Sequence, residues 1–263
     1  MSEVTSWAFA SLPWRLSTHA EVFAPNAALA LVIVGLSGPA APVRGTSRAL
    51  LLGLAAGFGL ANHLSIVLIA PLGIYAAVKS LRESAAPARA AALATAGLLP
   101  GLCAYLTMVY IARHAGDRLV WGDTGTLQGL VDHVLRRDFG TTQLSASGAA
   151  GDPLGALWFF ARRALVDLKV LPAVLGFVGL VALDGDGARG VTGRDRALFG
   201  AALALAGPLF LARFNIPPVG VGAAVVERFH LLPESLLAVL AARGFDLVAE
   251  RAPLGAPVQR GLV

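Results

Sequence analysis

The sequence predicts an all-α fold: a polytopic transmembrane helix bundle of about six or seven membrane segments, with an amphipathic helix on its extracytoplasmic side. Three observations predict it. Of 263 residues, 56% are hydrophobic and only 14% charged, where a soluble domain carries about 25% charged residues. Mean hydropathy is +0.71. Apolar runs recur along the chain with arginines gathered at their ends, the usual membrane pattern. The net charge of +5 and pI near 10.1 would suggest nucleic acid in a soluble protein. Placed at the ends of apolar segments, the same charges argue against a nucleic-acid partner.

Each segment can be justified in order. The first residues are not expected to act as a secretory signal, because Glu3 is acidic and Trp14-Arg15 interrupts a short apolar run. Residues 20–36 just reach the lower limit of a span, roughly 17 residues. Residues 49–60 are short, but 64–78 follow closely, with "ANHLS" at the junction. Residues 90–112 make a full-length span. Residues 154–183 exceed one, and their first half carries Arg162, Arg163, Asp167 and Lys169, so only 170–183 is plainly apolar. Residues 197–212 and 231–248 complete the set. Pro71, Pro100, Pro172 and Pro208 fall inside these segments, where neighbouring helices can satisfy the freed carbonyls. The "GLAAG" of Gly53 to Gly57 offers a flat face for close helix contact. Cys103, the single cysteine, lies in an apolar run and reads as a small buried hydrophobe. No repeat or linker divides the chain, so 1–263 is expected to form one domain.

Orientation follows from the loops. With 38–48, 79–89, 184–196 and the tail from Arg243 on the cytoplasmic side, Arg44, Arg48, Lys79, Arg82, Arg89, Arg189, Arg194, Arg196, Arg251 and Arg260 all lie there. This satisfies the positive-inside rule. The Asn62-His63 junction, the loop 113–153, the loop 213–230 and the stretch before Glu21 then emerge together on the extracytoplasmic face.

Those are the stretches with polar character. In "WGDTGTLQGLVDHVLRRDFG", residues 121–140, Thr126 can cap a helix whose Leu127, Leu130, Val131, Val134 and Leu135 recur at helical spacing. Asp132, Arg136 and Arg137 fall on its other side. Trp121 suits an interfacial anchor. The bland reading is a solvated interfacial helix; the functional one is that the Arg136 and Arg137 guanidiniums hold an anionic head group. Glu21, near His19, stands at the mouth of the first span, where a carboxylate is costly unless hydrated or paired. Asn62 and His63 sit at a helix end, as caps or as pocket residues. Glu227 and Arg228 precede the last span and pair with each other in the simplest reading. His114, His133 and His230 are scattered, so no metal site is expected. There is no phosphate-cradling GxxxxGK[ST] loop and no GxSxG elbow.

The order "HAEVFAPNAAL", "GLANHLS", "WGDTGTLQGLVDHVLRRDFG", "ERFHLLPE" resembles the protein O-mannosyltransferase-like family of GT-C polytopic glycosyltransferases. The matching stretches span nearly the whole chain. The resemblance implies a GT-C-like bundle in which a sugar, possibly mannose, passes from a polyprenyl-phosphate donor to a hydroxyl of a protein or glycan acceptor. It places the site on the periplasmic or exterior face of a bacterial inner membrane. Membrane lipid and the lipid-linked donor are the implied partners, and no further cofactor follows. Divalent-metal dependence stays open. By motif position Arg136 and Arg137 are phosphate-side residues, while Asn62, His63, Trp121 and Asp123 line the pocket. Glu21 with Arg228 supports the pocket or positions substrate, Glu227 is a further substrate-binding candidate, and Glu21 or Asp123 are the carboxylate candidates for a general base. The family's acidic Asp-Ser-Gly-Glu-like motif is missing, so the expectation is a partial enzyme without its N-terminal catalytic loop, inactive alone. Two other readings stay open: a non-catalytic lipid-phosphate-binding or transport protein, and a degenerate relative.

Overall fold

A computed structural model describes residue 12 and residues 22–38, 41–116, 120, 122–135, 137, 152–181, 193–213 and 216–251. Among the described residues every element is helical. In chain order they are α1 (Phe23–Ser37), α2 (Gly45–Asn62), a 3-10 helix (Leu64–Ile69) running into α3 (Ala70–Glu83), α4 (Pro87–Arg113) and the short α5 (Leu127–Val134). Then come α6 (Pro153–Asp167), α7 (Val170–Val181), α8 (Gly193–Ala204) continued by a π-helical turn (Leu205–Leu209), α9 (Val221–Arg228) and α10 (Leu231–Arg251).

Two glycine seams set the helix spacing. Gly53 and Gly57 of α2 lie against the Ala94 and Leu98 carbonyls of α4, and Gly97 and Gly101 of α4 lie against the backbone of α2. A Cβ on Gly101 would land on the Gly57 backbone, so no larger residue fits without parting the helices. Small residues four apart permit this approach, which raises dispersion contact where lipid supplies no hydrophobic drive. A second seam joins α7 to α10: Gly176 and Gly179 rest on the Leu237 and Leu240 carbonyls, and Gly244 on that of Leu175. The "GLAAG" face is thus one side of the first seam.

Helix α10 is the hub. Its Leu231, Leu236, Leu237 and Leu240 are all buried, the last three in one core with Ile33 and Val34 of α1, Leu52 of α2, Leu72 and Ala76 of α3 and Ala202 of α8. The outer surface is the reverse. Phe58, Ile74, Leu106, Tyr110 and Phe177 are each about half exposed or more, a coat that suits lipid rather than water. Cys103 belongs to that coat and is exposed, not buried as its apolar run suggested: α4 turns most of its apolar surface outward.

By length and composition two helical stretches qualify as membrane spans, Leu64–Glu83 and Pro87–Arg113, or three if Pro153–Asp167 and Val170–Val181 count together. Those last two meet at 113°, so the expected segment 154–183 is broken. The break lies at Lys169, whose φ of 69° puts a non-glycine residue in the left-handed region, at a cost of about 1 kcal/mol or more. The other expected segments are helical too, but shorter or more charged. Helix α10 carries Glu234, Arg243 and Asp246 within 231–248. In the segment 197–212 the π-helical turn contains Pro208, where proline offers no N–H to continue a regular ladder.

Candidate functional site

An interruption in the backbone builds the site. Helix α2 ends at Asn62 because His63 is extended, with φ −162° and ψ 129°. The chain restarts as a 3-10 helix whose first N–H groups need partners. His63 Nδ1 accepts the Ser65 N–H at 3.2 Å and lies 2.8 Å from Ser65 Oγ. Ser65 Oγ in turn accepts from Asn26 Nδ2 at 3.0 Å. With Nδ1 accepting the Ser65 N–H, the ring hydrogen is assigned to Nε2. Two further bonds finish the break. Asn62 Nδ2 donates to the Val22 carbonyl at 2.6 Å, and Tyr105 Oη donates to the Leu60 carbonyl at 2.6 Å.

Three rings close round this corner. Phe23 lies 4.9 Å from His63 and 4.9 Å from Phe229, and His63 lies 5.8 Å from Phe229. Beside them is a cavity of about 350 Å³ whose walls include Asn62, His63, Tyr105, Met108, His133 and Phe229. Residues from "HAEVFAPNAAL", "GLANHLS", the 121–140 stretch and "ERFHLLPE" therefore meet at one end of the bundle.

Helix α5 forms one rim. Thr126 caps it, its Oγ1 accepting the Gly129 N–H at 3.0 Å, as the sequence predicted. Leu127, Val131 and Leu135 are exposed on one stripe, while His133 and Val134 line the cavity. Arg113 Nε donates to the Gly125 carbonyl at 2.8 Å and ties the preceding loop to the end of α4. Asp123 is exposed and accepts from Thr126 Oγ1 at 3.2 Å; it braces the cap and is not part of the cavity wall. Arg137, about half exposed, pairs with Asp132 at 2.6 Å.

Behind Phe229 the polar groups are partly buried, as at Arg163, Glu227 and Arg228, or fully buried, as at Asp167 and His230. Glu227 does not need its neighbour Arg228: it lies 3.2 Å from Arg163 Nε of α6, and Arg163 also meets Asp167 at 3.2 Å. Adjacent residues on a helix point about 100° apart, which disfavours the expected Glu227–Arg228 pair. Arg228 ends α9 one residue before Phe229. His230 is fully buried beside the Phe159 and Phe160 rings, at 5.5 and 5.1 Å. Burial, and then the Arg163 charge, lower its pKa to about 3, so it is neutral at physiological pH.

Of the residues singled out from sequence, Asn62 and His63 enter the cavity wall; Asp123 and Arg137 stand on the α5 rim; Glu227 and Arg228 stand behind Phe229. Glu21, His19, Trp121 and Arg136 lie outside the described residues. Sequence reasoning passed over Asn26, Ser65, Tyr105, Met108 and Phe229, and weighed His133 only as a metal ligand. Asn26 is a fully buried amide in an otherwise apolar helix, and that alone was a usable signal. Among the described residues no group of three or more His, Cys, Asp or Glu is arranged to hold a metal ion.

No family model matches the sequence, and no solved structure matches it. Among curated proteins the chain is similar to "Protein O-mannosyl-transferase TMEM260" of Mus musculus, with 29% identity over 264 residues. The similarity covers 93% of this chain and 35% of the mouse protein, so the chain spans little more than a third of that relative's length. The similarity is a distant relationship to a glycosyltransferase, and the apolar helices are those of a membrane protein.

Proposed function

We propose that the His63 cavity receives a polyprenyl-phosphate-linked sugar and that the chain takes part in moving the sugar to a hydroxyl acceptor on the extracytoplasmic face. The observation that carries this is convergence. Four stretches far apart in sequence bring Phe23, Asn62, His63, His133 and Phe229 to one corner, and the similar mouse protein is named for O-mannosyl transfer. That name makes mannose and a protein hydroxyl the first pair to test.

In such a transfer the bond from the sugar's anomeric carbon to the phosphate oxygen breaks as the acceptor oxygen bonds to that carbon. The acceptor proton goes to a base, and the lipid phosphate leaves as an anion. His63 Nε2–H and the Arg136 and Arg137 guanidiniums are the donors assigned to that anion. Glu21, adjacent in sequence to Val22, is the preferred base, since Asp123 is engaged by Thr126. The Asn26–Ser65–His63 chain fixes the imidazole, so its donor is preoriented.

One observation favours a second reading. None of the described residues lining the cavity is an acid, which suits lipid-phosphate binding without chemistry. The test is transfer of labelled mannose from polyprenyl-phosphate-mannose in membranes holding the full chain, together with retention of the labelled donor. Transfer lost in Arg136→Ala and Arg137→Ala supports the enzyme. Retention without transfer moves the assignment to a lipid-phosphate binder. Neither transfer nor retention refutes both. A reporter fused within the loop 113–153 that reads as cytoplasmic would overturn the assigned side.

A further inference from the structure

A second cavity, about 570 Å³, runs along α3 to the end of the bundle away from His63 and is closed on its other side by α8. One wall is apolar, formed by Pro71, Ile74, Val78 and Leu198, and Ile74 and Val78 are exposed there. The far end is cationic, with Lys79, Arg82 and Arg194. The Arg194 guanidinium sits 4.9 Å from the centre of the Tyr75 ring, and Lys79 Nζ lies 5.9 Å from it and donates to the Gly38 carbonyl at 3.3 Å. Both are near enough for the ring face to help hold them.

The acid in this lining, Glu83, is turned to another task. Its carboxylate lies 3.0 Å from Arg48, whose side chain is only 1% exposed. Arg48 needs that partner, because a buried guanidinium without one is costly. The three cations of the cavity therefore keep a charge that the lining does not cancel. From Pro71 to Glu83 the helix rises about 18 Å, close to one leaflet's share of a hydrocarbon core about 30 Å thick.

We propose that this groove holds an anionic phospholipid, with its phosphate among Lys79, Arg82 and Arg194 and an acyl chain along Pro71, Ile74 and Val78. Charge complementarity selects the head group, since guanidinium forks match phosphate oxygens. The continuous apolar wall selects a lipid over a soluble anion, which would gain nothing from it. Basic clusters at helix ends attract anionic lipid in the same way. The site is independent of any transfer reaction at the other end.

The test uses the full chain in vesicles of phosphatidylcholine mixed with phosphatidylglycerol, followed by gentle extraction and quantification of the retained lipid. Wild type should retain phosphatidylglycerol in clear excess over its share of the vesicle. The triple variant Lys79→Gln, Arg82→Gln, Arg194→Gln should lose that excess entirely, since each basic residue is worth roughly fivefold and three compound to about a hundredfold, with phosphatidylcholine retention unchanged. Arg82→Gln alone, at an exposed position, leaves the fold intact and should lower the excess severalfold. Ile74→Asp should lower it without removing a cation. Equal retention in wild type and the triple variant overturns the proposal. So does displacement of the lipid by millimolar inorganic phosphate, which would make this a free-anion site.

Discussion

The two cavities lie near opposite ends of α3 and are built from opposite chemistry. At the His63 end a broken helix exposes backbone groups, and side chains are recruited to satisfy them: Ser65 and Asn26 behind the imidazole, Tyr105 on the Leu60 carbonyl, Asn62 on that of Val22. The result is a corner of oriented polar side chains, with the Arg137–Asp132 pair on its rim and the Arg163, Glu227 and Asp167 charges behind Phe229. At the other end α3 runs unbroken to Glu83, and long cationic side chains surround an apolar groove. Interrupted backbone orients polar groups in a way that suits chemistry; uninterrupted helix ends supply charge, which selects a ligand without orienting it closely.

The largest expected effect tests whether the ends are separable. Gly57→Leu drives a side chain into the Leu98 carbonyl, and overpacking of this kind costs about 3 kcal/mol. Because Tyr105 and Met108 reach the His63 cavity from α4, that cavity should be lost first. A lower thermal midpoint in detergent with phosphatidylglycerol retention preserved is the expected outcome. Loss of both in step would show that one seam supports both ends.

Next in size is Glu83→Ala, which leaves Arg48 buried without its carboxylate. Removing one partner of a buried pair costs several kcal/mol. Glu83 is itself 31% exposed, so about 2 kcal/mol is expected, read from the same thermal midpoint. Phosphatidylglycerol retention should not fall, because no cation of the groove is removed. A fall would mean that Glu83 shapes the groove rather than merely neutralising Arg48.

How much of this was legible beforehand differs between the two ends. The His63 end was partly legible because its residues sit in short polar stretches that break apolar runs, and "NHLS" is such a break. The cap at Thr126 and the "GLAAG" face follow local rules that one segment obeys alone. The groove was not legible: Tyr75 and Arg194 lie on helices far apart in sequence, and only packing brings them together. The turn at Lys169 was hidden for a related reason, since no local propensity favours a left-handed lysine and the surrounding helices impose it. Cys103 and α10 share one lesson. Hydropathy reports apolar surface, and it does not say whether lipid or protein covers it.

At the His63 end, His63→Ala removes the assigned Nε2 donor and the ring that packs against Phe23 and Phe229. Loss of a hydrogen-bond donor to a developing anion costs about tenfold or more in transfer rate. Asn26→Ala should reproduce part of that loss through a misplaced imidazole. If His63→Ala transfers at the wild-type rate, the imidazole is only a structural cap for the 3-10 helix.

The smallest effect isolates α5 from everything else. Thr126 is exposed, and its Oγ1 satisfies one N–H of a helix only eight residues long. Losing an N-cap of this kind costs about 1 kcal/mol, and so short a helix has little else of its own to resist fraying. The core does not depend on α5, so Thr126→Ala should leave the thermal midpoint nearly unchanged. It should instead speed amide hydrogen exchange across Leu127–Val134 and weaken donor retention by a few fold, because His133 and Arg137 lose a fixed frame. Thr126→Ser keeps the accepting oxygen and should restore both readouts. Exchange that speeds up while donor retention stays constant would separate α5 from the phosphate site and leave the corner at His63 to bind the donor alone.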